Sequence, residues 1–251
     1  MKKHIPNLLT LGNLFCGILA TIFAVQENYN GAALFVVLGI AFDFFDGFVA
    51  RLLQVSGELG KQLDSLADMV TSGVVPGVIM FNLLEASEFL QLDNLPDDEN
   101  VWGLLSMDTG YLKFLGLLLA LGACYRLAKF NIDTRQSDSF IGLPTPAMSL
   151  FIISLPLIQE YTPYESVQTL MGNNYFLIGV TLLLTYLMNA ELPLFSLKFK
   201  EYGFKANVIK YLFLTASIVL INTMEYFAIP LIIILYVLLS IGSNFSKKEV
   251  L

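Results

Sequence analysis

Long apolar runs broken by short polar stretches dominate this sequence, and they leave few choices of fold. A helix that crosses a bilayer needs about 20 mainly apolar residues. Eight segments approach that requirement, at about 7–25, 31–54, 62–84, 111–130, 145–159, 172–189, 207–222 and 226–243. The fifth is the shortest and carries Pro156. Composition agrees, since 56% of the residues are hydrophobic and 14% charged; an average soluble domain is about a quarter charged. The expected fold is all-α: a polytopic bundle of about eight transmembrane helices, forming a single membrane domain over 1–251 with no internal repeat. The first apolar run lacks a small-residue cleavage site and reads as a retained helix. Cys16 and Cys124 lie in apolar runs without CxxC spacing, so packing is expected of them rather than a disulfide or zinc.

The charges between the runs set the sidedness. With the N-terminus in the cytoplasm, Lys113 is the one residue among the 14 Lys and Arg that falls outside. Lys2, Lys3, Arg51, Lys61, Arg126, Lys129, Arg135 and the basic residues from Lys198 to Lys210 and at Lys247–Lys248 all fall inside, as the positive-inside rule requires. Both termini are therefore expected in the cytoplasm. The stretch after the third run is acidic, with Glu85, Glu88, Asp93, Asp97, Asp98, Glu99 and Asp108, and reads as a solvated outer loop.

Four aspartates break the apolar pattern of the second and third runs. Ionisable groups in a span are costly, so each marks a functional candidate. At 100° per residue, Asp43, Asp46, Gly47 and Ala50 share one face of the second helix. Gly60, Asp64 and Asp68 form a similar stripe on the third. A turn near Val55-Ser56-Gly57-Glu58 makes the two helices antiparallel neighbours, so the stripes face each other. Arg51 alone cannot balance four carboxylates. Divalent cations are the natural counter-charge, and all-oxygen ligation selects Mg²⁺ or Mn²⁺ over zinc. At about 1.5 Å per residue from Gly31, Asp43 lies about 18 Å along its helix and Arg51 about 30 Å, which puts the cluster on the cytoplasmic side. Gly47, Ala50 and Gly60 are small enough to let a ligand approach the backbone, or a neighbouring helix pack.

Together, residues 43–68 spell D-x-x-D-G-x-x-A-R-x₈-G-x-x-x-D-x-x-x-D, a pattern that arises by chance about once in 10⁹ starts or fewer. It resembles, without a departure, the signature of the CDP-alcohol phosphotransferase family. That resemblance implies an integral membrane enzyme, usually a homodimer, that uses two divalent ions to cleave the diphosphate of a CDP-linked substrate. It implies Asp43, Asp46 and Asp64 as metal ligands and Asp68 as a further ligand or the catalytic base. Gly47, Ala50, Arg51 and Gly60 would hold the CDP group. Two more stretches resemble one branch, the membrane-embedded phosphatidylserine synthases: Ile5–Gly17 (I-P-N-L-L-T-L-G-N-L-F-C-G), and R-L-A-K-F-N from Arg126 to Asn131 followed by F-I-G-L-P-T-P-A from Phe140 to Ala147.

The resemblance implies CDP-diacylglycerol as lipid donor and L-serine as acceptor, giving phosphatidylserine and CMP. Arg126, Lys129 and Asn131, in an acceptor-side loop spanning 126–147, are the expected serine-binding residues, since guanidinium matches a carboxylate through a bidentate fork. They also suit a plain cytoplasmic boundary. His4, the one histidine, reads as an N-terminal surface residue. The expected partners are the two substrates, the bilayer of the inner (plasma) membrane and a second copy of the chain, with no nucleic acid. Two other readings stay open: transfer to glycerol 3-phosphate, inositol phosphate or another alcohol, and a cation transporter built on intramembrane carboxylates.

Overall fold

The computed structural model describes residues 4–55, 57–92, 109–133, 140–195, 203 and 207–248. Helix α1 (His4–Val25) takes Pro6 in its first turn, where the missing N–H costs nothing. Asn28 caps α2 (Tyr29–Leu53) by accepting from Gly31 N at 2.9 Å. Gln54 closes α2 in the left-handed region, at φ 53°. Helix α3 (Glu58–Met69) starts at Gly57 with Glu58 in its first turn, favourable for the helix dipole. The expected hairpin between the second and third runs is therefore present.

The third run does not stay a regular α-helix. Val70–Val74 forms a π-helical turn before the chain resumes as α4 (Val75–Leu92). Such turns cluster at functional sites, and this one carries buried Thr71, Ser72 and Gly73. Around Thr71 the helices approach unusually closely. A Cβ at Gly17 would press on Thr71 Oγ1 and lie 3.0 Å from its backbone nitrogen; one at Gly39 would lie 2.8 Å from Thr71 Cγ2. Only glycine lets α1, α2 and the π turn meet there.

After a 3₁₀ segment (Thr109–Leu117), α5 runs from Leu118 to Ile132. Helix α6 (Thr145–Tyr161) is the centre of the bundle, buried from Met148 to Ile158 except at Leu150. The short α7 (Glu165–Met171) is bent by 61° from α8 (Asn174–Asn189). Helices α9 (Val208–Met224) and α10 (Ala228–Lys248) complete the described chain. They fold back on each other, because the rings of Phe213 and Tyr236 lie 5.7 Å apart. In one straight helix, residues so far apart in sequence would be separated by about 34 Å. The reversal passes through Glu225, with φ 47° and ψ −123°.

Residue types are distributed as a lipid solvent demands. Phe15, Ile18, Leu34, Phe44, Phe48 and Leu121 face outward, while Ala20, Ala24, Ala32, Ser149, Ser154 and Thr181 lie inside. Small and weakly polar residues at helix contacts, with large apolar ones toward lipid, are the membrane pattern. The chain is an integral membrane helix bundle.

The helical expectation is met, the span count is met in part, and one expectation is corrected. Five stretches of the described residues are long and apolar enough to cross a bilayer, or six if the bent α7–α8 pair is one span, and one of the five, Val208–Ser243, holds both α9 and α10; the expected count of about eight is met in part. The expected fifth span is present as the 17-residue α6, at the short end of what crosses the hydrocarbon core and packed in protein rather than lipid. Beside the helices, the short β1 (Phe140–Ile141) pairs antiparallel with β2 (Pro193–Leu194), joining Phe140 to Leu194 and Ile141 to Pro193. Finally, Cys16 is buried as expected, but Cys124 is exposed and does not pack inside the bundle.

The close approach at Thr71 is directly testable. Gly17→Val should cost about 1–3 kcal/mol of stability through overpacking, seen as a lower unfolding midpoint in detergent. Gly57→Ala, with open space around it, should leave that midpoint unchanged.

Candidate functional site

The two aspartate stripes meet. Carboxylate oxygens of Asp43 from α2 and of Asp64 and Asp68 from α3 all lie within 4.8 Å of one another. All three residues are partly buried. Asp46, one turn further along α2, stands outside this trio and is 6% exposed. Its carboxylate accepts a hydrogen bond from the Thr10 hydroxyl, which also lies 3.1 Å from Pro6 O. A hydroxyl has one proton, and a carboxylate is the stronger acceptor.

Helix α1 supplies the rest of the frame. Asn13, fully buried, donates through Nδ2 to Asp68 Oδ1 at 3.0 Å. Its Oδ1 accepts from Thr71 Oγ1 at 2.8 Å. The amide is therefore fixed in orientation by a donor on one side and an acceptor on the other. Thr71 on the π turn, Asn13 on α1 and Asp68 on α3 form one polar chain. The branch-like motif Ile5–Gly17 contains Thr10 and Asn13, but their roles were not legible in it. The available signal was polar residues three apart, hence on one face, inside an apolar run.

Beside the cluster lies a cavity of about 440 Å³. Gly47, Ala50 and Gly60 line it together with Asp46 and Asp64, and His4, Asn7 and Lys61 border it as well. No heavy atom from outside its own helix comes within 4 Å of where a Gly47 Cβ would be, so that glycine keeps the space open. Arg51 is exposed and is not among the lining residues. His4 is exposed, as expected of a surface residue, yet it edges this cavity.

The three acceptor-side candidates separate. Arg126 on α5 is 7% exposed and lies within electrostatic reach of Asp68. Lys129 instead pairs with Glu191 at 3.4 Å. Asn131 ties α5 to α3: its Nδ2 donates to Ser65 Oγ at 2.8 Å, and its backbone carbonyl accepts from Lys61 Nζ. Arg135, in the same loop, falls outside the described residues. The end of that loop, at Gly142 and Leu143, is latched to the C-terminal end of α8. Gly142 N donates to Leu192 O and Leu143 N to Leu187 O, each at 2.9 Å. Gly142 has φ 75° and presses on Met188 O, a position no side chain would tolerate.

Three oxygen donors at this spacing fit a hard divalent cation, with the remaining positions left for substrate oxygens and water. Asn13→Leu, which keeps the volume but removes the donor to Asp68, should lower turnover about 10- to 100-fold, the usual cost of losing a group that orients a ligand. Steady-state rates with protein yield and unfolding midpoint held as controls would check it.

Comparison with known proteins agrees with this geometry. The family model described as CDP-alcohol phosphatidyltransferase matches residues 3–187. The chain is 32% identical over 181 residues to the CDP-diacylglycerol–serine O-phosphatidyltransferase of Bacillus subtilis, covering 70% of this chain and 88% of that protein. It is 30% identical over 223 residues to the enzyme of the same name from Helicobacter pylori strain J99, covering 88% of this chain and 83% of the other. An archaetidylserine synthase of Methanothermobacter thermautotrophicus is 26% identical over 179 residues, covering 70% and 67%. The matched span contains every aspartate of the cluster and the α1 residues that hold them, and the chain belongs to the CDP-alcohol phosphatidyltransferase family.

Proposed function

We propose that the chain transfers the phosphatidyl group of CDP-diacylglycerol to the hydroxyl of L-serine, releasing phosphatidylserine and CMP. The observation that carries this reading is the carboxylate trio within 4.8 Å, set between an open cavity lined by Gly47, Ala50 and Gly60 and a buried Arg126. The names of the bacterial relatives support serine as acceptor.

Each residue then has a task. Asp43, Asp46, Asp64 and Asp68 would hold two divalent cations, Mg²⁺ or Mn²⁺, which when bound neutralise the diphosphate and the charge on departing CMP. Gly47, Ala50 and Gly60 let the CDP group lie close to two helix backbones, and Arg51 meets phosphate at the exposed edge. Arg126 receives the serine carboxylate. Asp68, oriented by Asn13, takes the proton from the serine hydroxyl. The serine oxygen forms its bond to the phosphorus bearing diacylglycerol as the bond from that phosphorus to the CMP oxygen breaks. The reaction is a direct displacement.

A phosphorylated acceptor would call for more cation than the described acceptor side offers, where Arg126 is buried and Lys129 is engaged by Glu191. Cation transport fits less well, because Asp64 and Asp68 lie toward the hairpin end of the third run, 58–92, and the chain belongs to a transferase family. We place that end in the cytoplasm, at the inner membrane. Arg51, Lys61, Arg126 and Lys129 gather near the cluster. Lys113 pairs with Glu85, about 25 Å further along the third run from Asp68.

Purified protein with CDP-diacylglycerol should form lipid product with labelled L-serine in preference to glycerol 3-phosphate or inositol phosphate. Chelator should abolish turnover, and Mg²⁺ or Mn²⁺ should restore it. Asp43→Asn, Asp46→Asn and Asp64→Asn should each nearly abolish it. Asp68→Asn should lose about 10²–10⁴-fold in rate yet still bind the CDP-lipid. Full activity in chelator overturns the metal assignment, and preference for a phosphorylated acceptor overturns serine.

Sidedness has its own test. Gly57→Cys and Ala86→Cys, in a background lacking Cys16 and Cys124, occupy exposed positions near opposite ends of the third run. An impermeant thiol reagent should label only Ala86→Cys from outside intact cells. Equal labelling of both positions would refute the orientation.

A further inference from the structure

Among the described residues, five buried side-chain atoms have no protein partner: Ser72 Oγ, Arg126 Nε, Ser149 Oγ, Thr185 Oγ1 and Asn189 Oδ1. Buried polar atoms are almost always satisfied, so each such atom calls for an explanation. Two of them have complementary needs and share a space. Arg126 and Asn189 line one small cavity with Lys129, Ile141, Met188 and Ala190, and its volume is about 10 Å³. Arg126 Nε is a donor with no acceptor; Asn189 Oδ1 is an acceptor with no donor.

The Asn189 amide is not free to turn away. Its Nδ2 donates to Gly122 O at 3.2 Å and to Thr185 O at 3.0 Å. Those bonds assign the nitrogen and leave the oxygen as the open acceptor. Gly122 keeps this contact tight, because a Cβ there would lie 2.8 Å from Thr185 Cγ2 and 3.3 Å from Asn189 Nδ2. A polar space of about 10 Å³ is the size of one water.

We propose that Asn189 is a positioning residue for Arg126, joined to it through one buried water, and that this link prepares Arg126 for the acceptor's carboxylate. The inference rests on the assignment of Arg126 to the acceptor made above. Its chemical content is the direction of the fork. A guanidinium can grip a carboxylate through Nε and one Nη, or through both Nη groups. With Nε tied to Asn189, the pair of Nη groups is what remains for the acceptor. The end of α8, far from the aspartate signature in sequence, thereby helps set acceptor preference.

The test is steady-state kinetics of the full chain with CDP-diacylglycerol and Mg²⁺, using L-serine and serinol, which lacks the carboxylate. Asn189→Leu should raise the KM for serine about tenfold, the worth of one charge-assisted hydrogen bond, while kcat and the KM for CDP-diacylglycerol change less than about threefold. The preference for serine over serinol should fall by the same factor. Asn189→Ser, which keeps an oxygen acceptor and leaves room for a second water, should recover most of the serine KM. If Asn189→Leu does not fold, Asn189→Asp carries the test: a carboxylate against Nε competes with the substrate's, and the serine KM should again rise. An unchanged serine KM in folded Asn189→Leu or Asn189→Asp, where Arg126→Lys does raise it, overturns this link and leaves the role of Arg126 standing. Equal losses with serine and serinol also overturn it, because they mark a purely structural residue. A wild type indifferent to serine, or a neutral Arg126→Lys, removes the acceptor assignment and this inference with it.

Discussion

Carboxylates gathered as closely as Asp43, Asp64 and Asp68 push one another apart. At separations up to 4.8 Å each ionised pair repels by about 3–4 kcal/mol or more for an effective dielectric near 20. Most of the architecture around them is a means of holding that arrangement. The hairpin at Gln54–Glu58 brings the stripes face to face, and Asn13 fixes Asp68 from the side. Thr10 holds Asp46. Thr71 holds Asn13 in turn, and it sits where it does because Gly17 and Gly39 have no side chains. A divalent cation held by these carboxylates would convert the repulsion into attraction.

How much of this was legible in the sequence depends on the physics of each signal. A charge inside an apolar run is conspicuous by itself, so Asp43, Asp46, Asp64 and Asp68 could be picked out and placed on two facing stripes from helical periodicity alone. Thr10 and Asn13 could not, because a neutral polar residue in a span has many ordinary uses, and only the partner across the helix contact gives it a role. Lys129 and Arg126 looked equivalent from their spacing. Tertiary placement separates them, since Glu191 lies beside Lys129 and Arg126 is turned inward toward Asp68.

The number of spans was harder to read for a different reason. Hydropathy reports contact with lipid, whereas α6 is surrounded by protein and needs neither the length nor the outer apolar face of a lipid-facing helix. Conversely, α9 and α10 are apolar enough to pass for one long stretch. The sequence still separates them as runs 207–222 and 226–243, and the packing of Phe195, Phe213 and Tyr236 shows the reversal at Glu225. The π turn at Val70–Val74 was likewise invisible, because nothing in V-T-S-G-V distinguishes it from an ordinary helical turn.

The latch at Gly142 has an evolutionary reading. Residues 140–143 are clasped by the chain around 187–194 through two backbone hydrogen bonds and a two-residue strand pair, so neither segment can drift in shape without the other. The aspartate signature lies elsewhere, on α2 and α3. On the reading proposed above, recognition of the activated lipid and choice of the alcohol fall to separate stretches of polypeptide. A lineage could leave the signature untouched while reshaping this end of the bundle, but it would have to rewrite both halves of the latch in concert. Transplanting one half alone into a relative would break the clasp; moving the two together would keep it.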